Sequence, residues 1–209
     1  MASSFPSIAV MSATPEATAT VPGSLRPAED ILAPLIFFYG IGNARPEVRF
    51  CPSATLPPIE RHLLVHDEDM TPRLRSHHGC RIDLEVAAKA RIGNYLVRAS
   101  VLRRSTDAEP VEFGAIGIHL ESLPSTAVSQ VLEGHIPFGA ILENFQIPHS
   151  SHPRAWFDIA VDSRLAQLLG AQVGQRLFGR CNELRSSDGS VLADVVEVLP
   201  AGEPIAQRA

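Results

Sequence analysis

Residues 94–104 and 111–120 are apolar at successive positions rather than at alternate ones. Side chains alternate across a strand, so a segment apolar on both faces belongs in the interior of a sheet. The polar loop of residues 105–110 joins the two stretches, and together they predict a central antiparallel hairpin. In the first stretch Tyr95, Val97, Ala99 and Val101 fall on one face, with Leu96, Arg98, Ser100 and Leu102 on the other. Arg98 therefore stands in a strand that is otherwise nearly all apolar. A guanidinium cannot shed its proton, so its burial demands an anionic partner from the protein or from a ligand. That makes Arg98 a candidate carboxylate receptor. The alternatives are a side chain that snorkels off the strand end or pairs with a structural acid.

A chain of 209 residues, 45% hydrophobic, suits one ordinary domain with an appendage. Residues 1–27 are rich in Ser, Ala, Thr and Pro and carry almost no charge, which predicts a disordered tail. Residues 28–58 alternate apolar patches with prolines and read as an extension of open structure, in which Ala28-Glu29-Asp30 has the signals to open a short helix. The folded body is expected over residues 59–209. No run approaches the roughly 20 apolar residues of a membrane span. Cys51, Cys80 and Cys181 are odd in number and far apart, which suggests a reducing compartment and a cytoplasmic location. A net charge of -5 and the lack of a concentrated basic surface predict neither a nucleic-acid partner nor a membrane partner.

Along the body, Thr71 before Pro72 predicts a helix N-cap with proline at the first helical position. Ile82, Leu84 and Val86 alternate with Arg81, Asp83 and Glu85, the pattern of a half-exposed strand. Residues 122–133 carry helical spacing with Gly134 as a stop, and Pro137 opens a second, shorter helix. A strand at 155–161, a short helix at 162–169 and a strand at 176–185 follow. Asp188-Gly189 then predicts a hairpin turn into a last strand over 190–199. The sum is an α+β fold, an antiparallel sheet of five or six strands with helices on one side.

Metal chemistry finds little support. His77 and His78 are adjacent and point apart, while His149 and His152 lie in a Ser/Pro loop without a helical frame. No G-x-S-x-G, P-loop or G-x-G-x-x-G pattern occurs, so hydrolase and nucleotide readings are unsupported.

Several short segments, taken in order, resemble the chorismate lyase family over residues 59–204. They are Leu63-Leu64, then Asp69-Met70-Thr71 with Arg73, Tyr95-Leu96-Val97-Arg98, and Leu132-Glu133-Gly134 leading into Pro137-Phe138-Gly139 and Leu142. Arg154, Leu177-Phe178-Gly179-Arg180 and Glu197-Val198-Leu199-Pro200 complete the series. The resemblance implies a small antiparallel sheet flanked by helices, with an enclosed ligand cavity closed by helical flaps. It also implies a cofactor-independent carbon–oxygen lyase that releases pyruvate from chorismate and leaves a hydroxybenzoate, an activity of biosynthesis or secondary metabolism.

By that resemblance Arg98 would anchor the ring carboxylate, in agreement with the strand argument. Met70, Phe138 and the adjoining Gly139 would be flap residues facing the ligand, and Arg154 would stand at the pocket mouth. The family's last strand carries a glutamate four residues before the proline, where this chain has Val196 with Glu197 one position later. A one-residue slip turns a side chain to the opposite face. Either a β-bulge restores Glu197 to the cavity, or Asp194 replaces it, or the acid is absent. A second family arginine, expected at Ala115, is missing. With Arg98 as anchor and Glu197 or Asp194 as acid/base, the site would bind a small-molecule carboxylate. Two alternatives keep the cavity: an enzyme of the same fold with a different substrate, and a non-catalytic small-molecule sensor, since effector domains of transcription regulators share this fold.

Overall fold

A computed structural model describes residues 30–40 and 44–201, and the tail expected at residues 1–27 lies outside them. Seven strands form one sheet: β1 (Val48–Cys51), β2 (Ile82–Ile92), β3 (Tyr95–Arg104), β4 (Pro110–His119), β5 (His149–Ala160), β6 (Arg176–Ser186) and β7 (Val191–Val198). Their order is β1-β5-β6-β7-β4-β3-β2, and every neighbouring pair is antiparallel. The expected hairpin is β3–β4, in the interior of the sheet, and the Asp188-Gly189 turn joins β6 to β7. The sheet exceeds the expected five or six strands because β1, a short edge strand among prolines, gave no usable alternation.

Among the described residues six α-helices flank the sheet: α1 (Ala33–Tyr39), α2 (Pro58–Leu64), α3 (Met70–His78), α4 (Ser125–Glu133), α5 (Phe138–Asn144) and α6 (Ser163–Leu169). They cover both faces rather than one, as the doubly apolar hairpin requires. On one face α1 and α6 pack Leu35, Tyr39, Leu165 and Leu169 against Ala99, Val101, Phe113, Phe157, Val196 and Val198. The other face is covered at one end by α4 and α5 and at the other by α2 and α3. Chain ahead of residue 59 thus contributes α1 and β1 to the sheet and core, and Tyr39 Oη bonds Asp162 Oδ1 at 3.0 Å. No helix among the described residues is long and apolar enough to cross a membrane.

Local signals act as elementary chemistry requires, with one shift. Asp162 caps α6 by accepting from the Leu165 N–H, and Gly134 and Gly170 end α4 and α6 in the left-handed conformation. The helix α3 begins at Met70 with Asp69 before it, so Thr71 and Pro72 lie inside its first turn. Proline is tolerated there because the first four helical N–H groups have no intrahelical partner.

Candidate functional site

The face under α3 and α5 is where the polar side chains of the sheet collect. Register places Arg98 opposite Ile116, and Ile116 opposite Val195. The next row along the strands on the same face holds Ser100, Gly114, Glu197 and Arg180. The row after it pairs Leu102 with Glu112. Glycine at 114 leaves a hollow in the middle row, and a Cβ there would come within 3.1 Å of Glu112 Oε1. Over that hollow lies a cavity of about 100 Å3, lined among others by Arg98, Ser100, Glu112, Gly114, Asn182, Glu197, Met70 and Phe138. On the same measure one water needs roughly 10–15 Å3, so the space suits a small molecule.

Two helix starts close the cavity from above. Met70 begins α3 and Phe138 begins α5, and both side chains are buried. Asp69 joins the two flaps: its Oδ2 meets His149 Nε2 at 3.0 Å, and a Cβ on Gly139 would stand 2.8 Å from the same oxygen. Any larger residue at 139 would have to displace the Asp69 carboxylate from this position. Burial lowers the His149 pKa, but hydrogen bonds to the Ile147 carbonyl and to Asp69, with the charges of Asp69 and Glu143, outweigh it and raise the value.

The two buried arginines differ in their partners. Arg180, 0% exposed, donates from Nε to Glu197 Oε2 and from its terminal nitrogens to the carbonyls of His66 at 3.0 Å and of Leu64 and Glu68 at 3.4 Å. Arg98, 2% exposed, makes one long bond to the Ile136 carbonyl at 3.4 Å, and its Nε meets no partner among the described residues. No carboxylate of the described residues forms an ion pair with it. Burial pulls its pKa down to about 10, which leaves it charged at neutral pH. Glu112, 4% exposed, is the opposite case. Burial and the charge of Glu197 push its carboxyl well above the ordinary range, against the pull of Arg180, and its Oε2 has no partner among the described residues.

Of the residues singled out in the sequence, Arg98, Glu197, Met70, Phe138 and Gly139 line this cavity. Glu197 reaches it in regular register, because β7 pairs without a shift over residues 194–198 and its odd positions face the hollow. Asp194, on the opposite face, has its Oδ2 3.6 Å from His119 Nε2 and does not line the cavity. Arg154 does not line it either. Its side chain is half-exposed and pairs with Glu183 at 3.1 Å. Arg180, on β6, holds Glu197. Glu112 lies in a segment otherwise apolar on both faces and is not among the expected site residues. Its signal was the one that marked Arg98, a charge within a central strand. No cluster of three or more metal-ligating side chains occurs among the described residues.

Solved structures share this chain trace. PhnF from Mycobacterium smegmatis aligns with a TM-score of 0.53 at 14% identity, over 66% of this chain and 65% of that one. The chain thus spans just under two thirds of that protein. The effector domain of PhnF aligns with a TM-score of 0.50 at 14% identity, over 64% of this chain and 88% of the domain. The ligand-binding domain of a putative GntR-family transcriptional regulator from Bordetella bronchiseptica aligns more loosely, with a TM-score of 0.43 at 12% identity over 59% and 87%. No protein-family model matches the sequence, and neither does any curated protein.

The fold is the chorismate lyase-like α+β fold that these regulator domains share. Two expectations are corrected by the same finding. The neighbours are effector and ligand-binding domains of transcriptional regulators, which overturns the expected carbon–oxygen lyase with its chorismate, pyruvate and hydroxybenzoate chemistry. The expectation of no nucleic-acid partner is withdrawn on the same finding, since domains of this fold occur in transcriptional regulators. The physical reason for the first error is that a fold and an anchoring arginine specify a binding cavity and leave the reaction open.

Proposed function

We propose that this domain is a non-catalytic sensor of a small carboxylate, held by Arg98 in the cavity between the sheet and the two flap helices. One observation carries the reading: a fully buried, charged arginine borders the cavity without an anionic partner among the described residues. A buried guanidinium is costly until it is paired, and a carboxylate offers the bidentate geometry that it fits. Glu197 would serve as the fixed counter-ion of Arg180 rather than as an acid/base. Met70, Phe138 and Gly139 would form the walls that exclude water, and their flap helices would respond to the ligand. The likeness to effector domains supports such a role, with any contact to DNA made by another segment or a partner.

The test is thermal unfolding and calorimetric titration of the full chain with a panel of small carboxylates. Binding a ligand to the folded state alone raises the melting temperature in proportion to RT ln(1 + [L]/Kd). At least one acid should raise it in the wild type and fail to do so in Arg98→Met. A panel that binds the variant as well as the wild type would remove the reading.

A further inference from the structure

Arg98 accounts for one end of the cavity and leaves the other unexplained. Glu112 projects into that end from β4 with a buried carboxyl oxygen that no described residue meets. Its side chain leans back over Gly114, in the row of Ser100 and Glu197. Arg98 stands one same-face step away, about 7 Å along the strands. Two buried groups of opposite character, each with a polar atom that meets no partner among the described residues, thus face one small space at a separation that a short chain can bridge.

The charges around the space decide what can bridge it. Glu197 is neutralised by Arg180, and Asp69 is paired with His149. Arg75 and Glu143 line the cavity from α3 and α5, but both are exposed residues at its rim. Arg98 supplies the interior's unmatched charge, and one carboxylate matches it. A second anion would face Glu197 and Glu112. We propose that Glu112 reads the far end of the ligand, so that the cavity takes a small monocarboxylate carrying an uncharged oxygen acceptor, a hydroxyl or a carbonyl. This rests on the reading of Arg98 as the carboxylate anchor. Glu112 then acts as a neutral acid that donates one hydrogen bond, which agrees with the direction in which burial and Glu197 push its proton affinity. An ammonium at that end would instead have to expel the proton, and a phosphate dianion on Arg98 would leave one negative charge unmatched.

Calorimetric titration of the full chain with five probes of similar length tests this: pentanoate, 5-hydroxypentanoate, 4-oxopentanoate, glutarate and 5-aminopentanoate. In the wild type the hydroxy or oxo acid should bind about tenfold more tightly than pentanoate, the share of one net hydrogen bond, and glutarate more weakly. Glu112→Gln keeps a neutral donor and should hold that preference, while Glu112→Met should abolish it, so that 5-hydroxypentanoate binds no more tightly than pentanoate. Parallel titrations in two buffers of different ionisation enthalpy should show no proton released on binding 5-hydroxypentanoate. A preference for glutarate or for 5-aminopentanoate with proton release would overturn the role of Glu112. So would a preference that Glu112→Met leaves intact. If pentanoate binding still depends on Arg98 in those cases, the sensor reading stands. Failure of the wild type to bind any of the five acids would overturn both.

Discussion

The two faces of the sheet are built from the same strands by different rules. On the face under α1 and α6, Phe113, Phe157, Ile159, Val196 and Val198 pack in one apolar cluster, and the buried acids of that face, Glu183 and Asp194, lie beside Arg154, Arg185 and His119. On the face under α3 and α5, Arg98, Ser100, Glu112, Arg180, Asn182 and Glu197 are buried as deeply, but they are not equally paired. The first face gains stability from each atom that it removes from water. The second contains groups whose burial costs free energy unless something meets them. Arg180 has its carboxylate and carbonyls within the protein, whereas Arg98 and Glu112 face the cavity. Substitutions on the apolar face should therefore all destabilise, while those on the cavity face should differ in sign according to whether the group removed was paired.

Arg180→Met should show the largest effect. It strands Glu197 beside Glu112 in the interior, and removing one partner of a buried pair costs about 3–5 kcal/mol. Urea denaturation at neutral pH measures this, and a loss below ~1 kcal/mol would mean that Glu197 finds another partner. Arg98→Met should go the other way, with a gain of about 1–3 kcal/mol in the absence of ligand, because an apolar chain of similar length replaces an uncompensated charge. A loss of stability would show that the guanidinium is paired in solution and would blur the contrast between the two arginines. On the apolar face Ile159→Val should cost about 0.5–1.5 kcal/mol, the usual consequence of deleting one buried methylene.

The last contrast is in pH dependence. Glu112 has a folded-state pKa raised above its unfolded value, so the folded protein holds the proton longer than the unfolded chain. Its contribution to stability should then be full below the ordinary glutamate range and decline as the pH rises above it, at up to about 1.4 kcal/mol per unit. His66 works in the opposite sense. Burial, with the nearby charge of Arg180, lowers its pKa to about 4, so stability is lost as the pH falls from about 6.5 towards that value. Denaturation midpoints for Glu112→Gln should lose the decline on the alkaline side and keep the acid-side loss. If both limbs persist, Glu112 is ionised at neutral pH in the folded protein.

Much of this architecture was legible before any coordinates. Doubly apolar segments identified β3 and β4 as interior strands, Asp188-Gly189 marked the β6–β7 turn, and Gly134 and Gly170 marked helix ends. Each of these is local, set by side-chain alternation or by the few residues that tolerate a left-handed backbone. Among the site residues, Arg98 was visible for the same reason, as a charge in a strand with no wet face. β1 was not legible, since a four-residue edge strand has too little pattern to read, and neither was the cover of helices on the second face.

The sequence by itself determined which strands are interior, where the chain turns, and that Arg98 would need an anion. Only the tertiary structure decided where that anion could come from. The register of β7 against β4 and β6 turns Glu197 towards the cavity and Asp194 away, a choice of one residue that pairing partners settle and local propensity does not. The same packing gives Glu197 to Arg180 and leaves Arg98 and Glu112 at the edge of the hollow over Gly114. Charge pairing depends on distances between residues far apart in the chain, which is why only the fold shows that Arg180 has its carboxylate while Arg98 has none among the described residues.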